Sequence, residues 1–184
     1  MGFEVESERE PLTPEQETEL KRLVVERAPA ALAEYETAES ADDRFYALTN
    51  AAFAAFHLEQ YDLSSRLAAE LLDAAQSFVH DWNYGNAIHV GHVVRGLLAL
   101  RAGDKPSAIR ELHAAGATRG SPQLDTFGPS MLLAKELLRT GETEAVLEYF
   151  GQCRTFWKMG GEWLDIWETK VRAGHVPNFF MHLH

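Results

Sequence analysis

A single cysteine, Cys153, stands in 184 residues, which excludes an intramolecular disulfide framework and any multi-cysteine zinc site. Long hydrophobic runs are missing as well. Even the Ala-rich stretch 47–58 is cut by Asn50 and His57, short of the roughly 18 uninterrupted apolar residues that a membrane span requires. The first ten residues, MGFEVESERE, carry neither a basic start nor an apolar core, so no secretion signal is read and a soluble, cytoplasmic chain with no membrane contact is expected. Basic residues are scarce, 17 Lys and Arg against 28 Asp and Glu for a net charge of −11. No basic stripe with interleaved aromatics occurs, and such a chain repels phosphate backbones, so nucleic acid is left out of the expected partners. Alternating β-branched runs bounded by turn residues are also lacking, which removes the signature of strands.

What the chain does contain is helical periodicity, and with 46% hydrophobic residues it has enough apolar side chain for one continuous core. The fold class expected is all-α. The acid is unevenly placed: residues 1–43 hold 13 acids and 4 bases, a net −9, whereas residues 44–184 hold 15 and 13, a net −2. Residues 1–12 have no sustained apolar period and read as a mobile acidic tail, leaving 13–184 as a single helical domain. Thr13-Pro14-Glu15-Gln16 is a capping-box start with proline at the first helical position. Leu20, Leu23, Val24 and Arg27 follow at helical spacing, and Pro29 is expected to end that helix before a short piece over 30–38.

Further start and stop signals divide the remainder. Ser40-Ala41-Asp42-Asp43 opens a helix over about 41–58, and Asp62 opens the next over about 62–79. A second pair is predicted over 82–102 and 105–116, separated by Gly103. Gly116, Gly120 and Pro122 form a break, after which Pro129 can sit in a first turn. The third pair covers 131–140 and 142–158, and Gly160-Gly161 precedes a last helix over 162–173.

The turns of the three hairpins align as LEQYDLSSRL (58–67), RAGDKPSAIR (101–110) and RTGETEAVLE (139–148). That register pairs Glu59, Gly103 and Gly141. Small residues Ala52, Gly96 and Ala134 then fall seven positions earlier, and Ser64, Ala108 and Val146 five later, as close helix crossings require. The order of small residue, glycine-and-acid turn and second small residue resembles the tetratricopeptide repeat over roughly residues 41–158. LRAGDKPSAI is the nearest match, and Tyr61 takes the place of that family's turn aromatic. SFVHDWNYGN and SPQLDTFGPSMLLAKELL are similar to segments of bacterial repeat proteins. The turn spacing departs from the family pattern, at 44 and then 38 residues against a family period of about 34.

The resemblance implies a short α-solenoid of about three antiparallel pairs with extra terminal helices, and a non-enzymatic interaction module that binds a peptide or helix on its concave face. In such arrays the first helix of each pair lines that face. Tyr46, Asn50, Phe53 and His57 would come from the first pair, Arg101 from the second, and Lys135 and Arg139 from the third. Cations and amide donors of this kind suit a carboxylate or an acidic peptide, while the plainer reading makes Arg101 and Arg139 ordinary partners of helix C-termini. The acidic N-terminal segment is itself a candidate occupant of that groove.

Other readings stay open. His89 and His92 are three apart on a helix, the minimal geometry for two metal ligands of an enzyme. The array could instead enclose a small molecule as a regulatory or sensing module. No motif for a catalytic centre, bound metal or cofactor is present, and Cys153 reads as a buried structural thiol. Phe150, Phe156, Trp157, Trp163 and Trp167 form either a closing core or, through Trp163 and Trp167, an exposed homodimer face.

Overall fold

The predicted caps form their hydrogen bonds. The Gln16 N–H donates to Thr13 Oγ1 at 3.2 Å while the Thr13 N–H donates to Gln16 Oε1 at 2.9 Å, both halves of a capping box, and Ser40 Oγ accepts from the Asp43 N–H at 3.0 Å. From these starts the computed structural model, which describes residues 10–183, builds an all-α chain. Its helices are α1 (Pro14–Glu36), α2 (Ala41–His57), α3 (Tyr61–Ala75), α4 (Tyr84–Arg101), α5 (Lys105–Gly116), α6 (Pro122–Phe127), α7 (Leu132–Arg139), α8 (Thr143–Cys153) and α9 (Gly161–Arg172). Short 3-10 turns cover Lys158–Gly160 and Phe180–His182, and no strand occurs among the described residues. The expected tail over 1–12 lies mostly outside those residues. Within them, the Glu10 carbonyl accepts from Asn178 Nδ2 at 2.8 Å.

Three hairpins, α2/α3, α4/α5 and α7/α8, close in the same way. Glu59, Gly103 and Gly141 all take left-handed backbone, with φ of 60°, 81° and 90°. The next residue's N–H reaches back five positions each time: Gln60 to the Ala55 carbonyl, Asp104 to Ala99 and Glu142 to Leu137, at 2.9 to 3.1 Å. Together with 3.0 Å bonds from Glu59, Gly103 and Gly141 to the carbonyl three back, this is the Schellman ending, which satisfies the last carbonyls and turns the chain. The small residues of the aligned register are at the crossings. Ala52, Ala134, Ser64, Ala108 and Val146 are fully buried, and Ser64 Oγ donates to the Ala52 carbonyl at 2.9 Å.

Helix α4 is the axis of the molecule. Nine of its eighteen residues, from Gly85 to Leu97, are buried. Ala87 and Val94 join a core cluster with α2 and α3, whereas Val93 and Leu97 join a second cluster with α5, α7, α8 and α9. Its glycines allow that crowding: a Cβ on Gly91 would meet Leu72 Cγ at 2.6 Å, and one on Gly96 would strike Leu133. The second cluster ends in aromatics. Trp167 is fully buried between Trp157 and Phe179, with ring centroids 5.6 and 4.9 Å away, and Trp163 is half-buried beside it. These tryptophans close the core and do not form an exposed dimer face.

Several boundaries differ from those expected. Helix α1 runs unbroken through Pro29, because the residues by which it packs, Val24, Ala28, Leu32 and Tyr35, form a stripe that bypasses the exposed proline. The helix expected to reach 79 stops at Ala75, and Phe78 instead stacks on Phe45 at 4.3 Å. The one expected to reach 158 ends at Cys153. A short helix, α6, fills the predicted break, and Pro129 lies before the N-cap Met131 and not in a first turn.

No atom lies within 4 Å of a Cβ built on Gly103 or Gly141, so substitution there tests the backbone alone. Gly103→Ala or Gly141→Ala should each cost about 1–2 kcal/mol, whereas Glu59→Gly should stabilise by about 0.5–1 kcal/mol. Urea denaturation of the three variants checks the sign at each turn.

Candidate functional site

The first helices of the pairs, α2, α4 and α7, share one face of the array, and α1 lies across it. Antiparallel to α2, α1 brings its N-terminal turn to α7. There the Glu17 carboxylate takes a hydrogen bond from Lys135 Nζ at 2.7 Å and another from Arg139 Nη2 at 2.6 Å. Lys135 is only 5% exposed, and a buried cation needs such a partner, because unpaired charge is strongly disfavoured away from water. The Arg139 hydrogen bond, followed by that of Lys135, holds the Glu17 carboxyl below the usual carboxylate range, and the same contact raises the Arg139 guanidinium. Arg139 is half-exposed and also pairs with Glu136 at 2.9 Å.

Two cavities open beneath α1. The first, about 680 Å³, is walled by Leu20, Val24, Phe56, Leu97, Leu100 and Leu132 and ends on Lys135 and Arg139. The second, about 610 Å³, lies between Ala28 and Ala31 of α1, Asn50 and Phe53 of α2, and the segment carrying Gln123 and Phe127. Val24 and His57 line both. Burial and the charge of Lys21 push the His57 imidazole below its ordinary value, which keeps it neutral, and its ring stacks on Phe53 with centroids 6.1 Å apart.

The anticipated residues divide over this face. His57, Arg101, Lys135 and Arg139 line the first cavity, with the Arg101 guanidinium 3.8 Å above the Tyr61 ring; Asn50 and Phe53 line the second. Tyr46 borders neither. Its hydroxyl donates to Asp81 Oδ2 at 2.9 Å and its ring sits 5.5 Å from that of Trp82, so it anchors the loop after α3. Helix α1 supplies the residues that sequence reading missed, Glu17 above all. The spacing marked Leu20 and Val24, but not Glu17, whose clamp on α7 lies 118 residues away.

The histidine pair does not converge on a metal. His89 Nε2 accepts from the Ser130 N–H at 3.0 Å and its Nδ1 faces the Ala115 carbonyl at 3.3 Å, so main-chain groups engage both ring nitrogens. His92 Nδ1 pairs with Glu111 at 2.7 Å. Among the described residues no three His, Cys, Asp or Glu side chains are grouped to hold a metal ion. His89 instead positions the site: with Tyr149, whose hydroxyl donates to the Ser130 carbonyl at 3.0 Å, it pins the segment leading into α7. Cys153 is fully buried, and burial drives its thiol far above the normal range, which leaves it unreactive. Among the described residues no helix is long and apolar enough to cross a membrane.

The chain matches no family model, and no curated protein or solved structure shows significant similarity to it.

Because the folded chain resists protonating His57 while the unfolded chain does not, the unfolded state binds the extra proton first on acidification. This part of the stability is complete above the ordinary histidine value of 6.5 and is lost as pH falls below it. His57→Phe should flatten the decline of the thermal midpoint between pH 7 and pH 5, about where a histidine titrates; an unchanged slope would assign it to other groups.

Proposed function

We propose that the protein is a non-enzymatic interaction module of tetratricopeptide-like build, whose concave face holds an acidic amphipathic helix. One observation carries this reading: the face presents a buried lysine and an arginine at one end of an apolar trough, and a helix bearing a carboxylate already lies across it in the folded chain. Charge-assisted bonds to Lys135 and Arg139 fix where the acid of the bound segment sits. Leu97, Leu100, Leu132, Phe53 and Phe56 offer apolar surface to its other turns, which is the helix-in-groove mode of recognition. A small-molecule ligand is the second reading, favoured by the size of the cavities, both within the range of ligand pockets at roughly 300–1,000 Å³.

Immobilised Glu17→Gln chain, with its internal acid neutralised, should retain from native lysate a protein that the Arg139→Glu chain does not. Arg139 is the better of the two cations to reverse, since it is 41% exposed at its side chain against 7% for Lys135. Identical sets of retained proteins on both surfaces would remove the groove from the function.

A further inference from the structure

Helix α1 covers the concave face without filling it. Of its 23 residues only Ala28 is buried. It packs chiefly along α2, and two clefts of about 680 and 610 Å³, open to solvent, lie between it and α4 and α7. Pro29 deprives it of one helical hydrogen bond. Along α2 it packs through Ala28, Leu32 and Tyr35, while its other side-chain ties are polar: Glu17 to Lys135 and Arg139, Tyr35 to Glu70 at 2.8 Å and to Arg44, and Lys21 to Glu59 at 3.8 Å. The connection to α2 is short, residues 37–40.

We propose that α1 is a displaceable stand-in, and that the segment the face is shaped for is a helix of a partner protein with an acid in the place of Glu17 and larger apolar residues in the places of Val24, Ala28 and Ala31. This rests on the reading of the concave face as a helix-binding site and specifies its occupant. Positions 17, 20, 24, 28 and 31 are separated by three or four residues and share one helix face. The first of them must be acidic, because any occupant without a carboxylate leaves Lys135 buried and unpaired, which selects against neutral and basic helices. The remaining positions are set by the cavities. Val24 borders both, while Ala28 and Ala31 border the second with side chains too small to fill it. A tethered helix has the advantage of effective concentration, so a partner has to compensate with apolar contact, and the empty volume is where that contact is available.

Labelled peptides provide the test. One has the sequence of residues 13–36; the other carries Val24→Leu, Ala28→Leu and Ala31→Phe. Each is titrated by fluorescence anisotropy into the full-length chain and its Glu17→Gln and Arg139→Glu variants, with hydrogen exchange followed over residues 14–36 and circular dichroism confirming that each variant is folded. The enlarged peptide is expected to bind about tenfold or more tighter than the native-sequence one. Glu17→Gln in the chain should strengthen binding and Arg139→Glu weaken it, and α1 should lose exchange protection as the peptide binds. Equal binding of the two peptides to the Glu17→Gln chain would overturn the stand-in while leaving the groove intact. Tight binding with α1 still protected would overturn it too, by placing the peptide elsewhere. If neither peptide binds any of the chains, the helix-binding reading of the face itself falls.

Discussion

The left-handed residue that follows the first helix of each hairpin is the constraint from which the rest of the architecture develops. At Glu59, Gly103 and Gly141 the backbone crosses into positive φ, and the five-back hydrogen bond from the next residue locks the chain into its return. Once the return is fixed, the residues seven before and five after face each other across the crossing, where there is space only for alanine, glycine, serine or valine. Three repetitions place α2, α4 and α7 side by side. Lys135 and Arg139 reach the same face as His57 for that reason, since no local feature of α7 would otherwise direct them there.

Charge sets the second constraint. Lys135 is nearly without solvent under α1, and Glu17 of that helix meets its ammonium at the point of contact. The contact spans 118 residues, and it fixes the N-terminal end of a helix whose apolar stripe packs along α2. Charge complementarity of this type specifies position and register more than it supplies affinity. The cavities on either side of Val24 follow directly. A helix positioned by a carboxylate at one end and by α2 along its flank need not fit α4 and α7.

How much of this was legible in the sequence depends on the range of the interaction that decides each feature. Caps and turns are local, so Thr13, Ser40, Gly103 and Gly141 announced the helix ends, and even Glu59, a residue poorly suited to positive φ, was identified by alignment with the two glycines. Pro29 misled because its local penalty was outweighed by a packing stripe that the proline does not enter. Tyr46 misled because the family pattern assigns a whole helix face to the groove, whereas Asp81 and Trp82, placed by an irregular loop, claim that end of α2. His89 and His92 looked like a ligand pair while their partners, the Ser130 amide, the Ala115 carbonyl and Glu111, were unknown. Whether the acidic N-terminal segment folds back on the chain was left open by the sequence, and the contact of Glu17 with Lys135 and Arg139 depends on a tertiary placement that spacing cannot supply.

The uneven charge of the chain acquires a physical meaning in this arrangement. Residues 1–43 carry a net −9 against −2 for the remainder, yet only one of those acids, Glu17, is paired with Lys135 and Arg139 of α7. Most other acids of α1 are exposed and either paired within the helix, as Glu19 and Glu26 are with Arg22, or turned to solvent, where they contribute little to holding it. Salt therefore acts unequally on the contact: the half-exposed Arg139 is screened, whereas the bond to buried Lys135 is sheltered. On the proposed reading a carboxylate at this position is common to every occupant and cannot distinguish one acidic helix from another. That reading leaves discrimination to the apolar positions over the two clefts, which Val24, Ala28 and Ala31 only border.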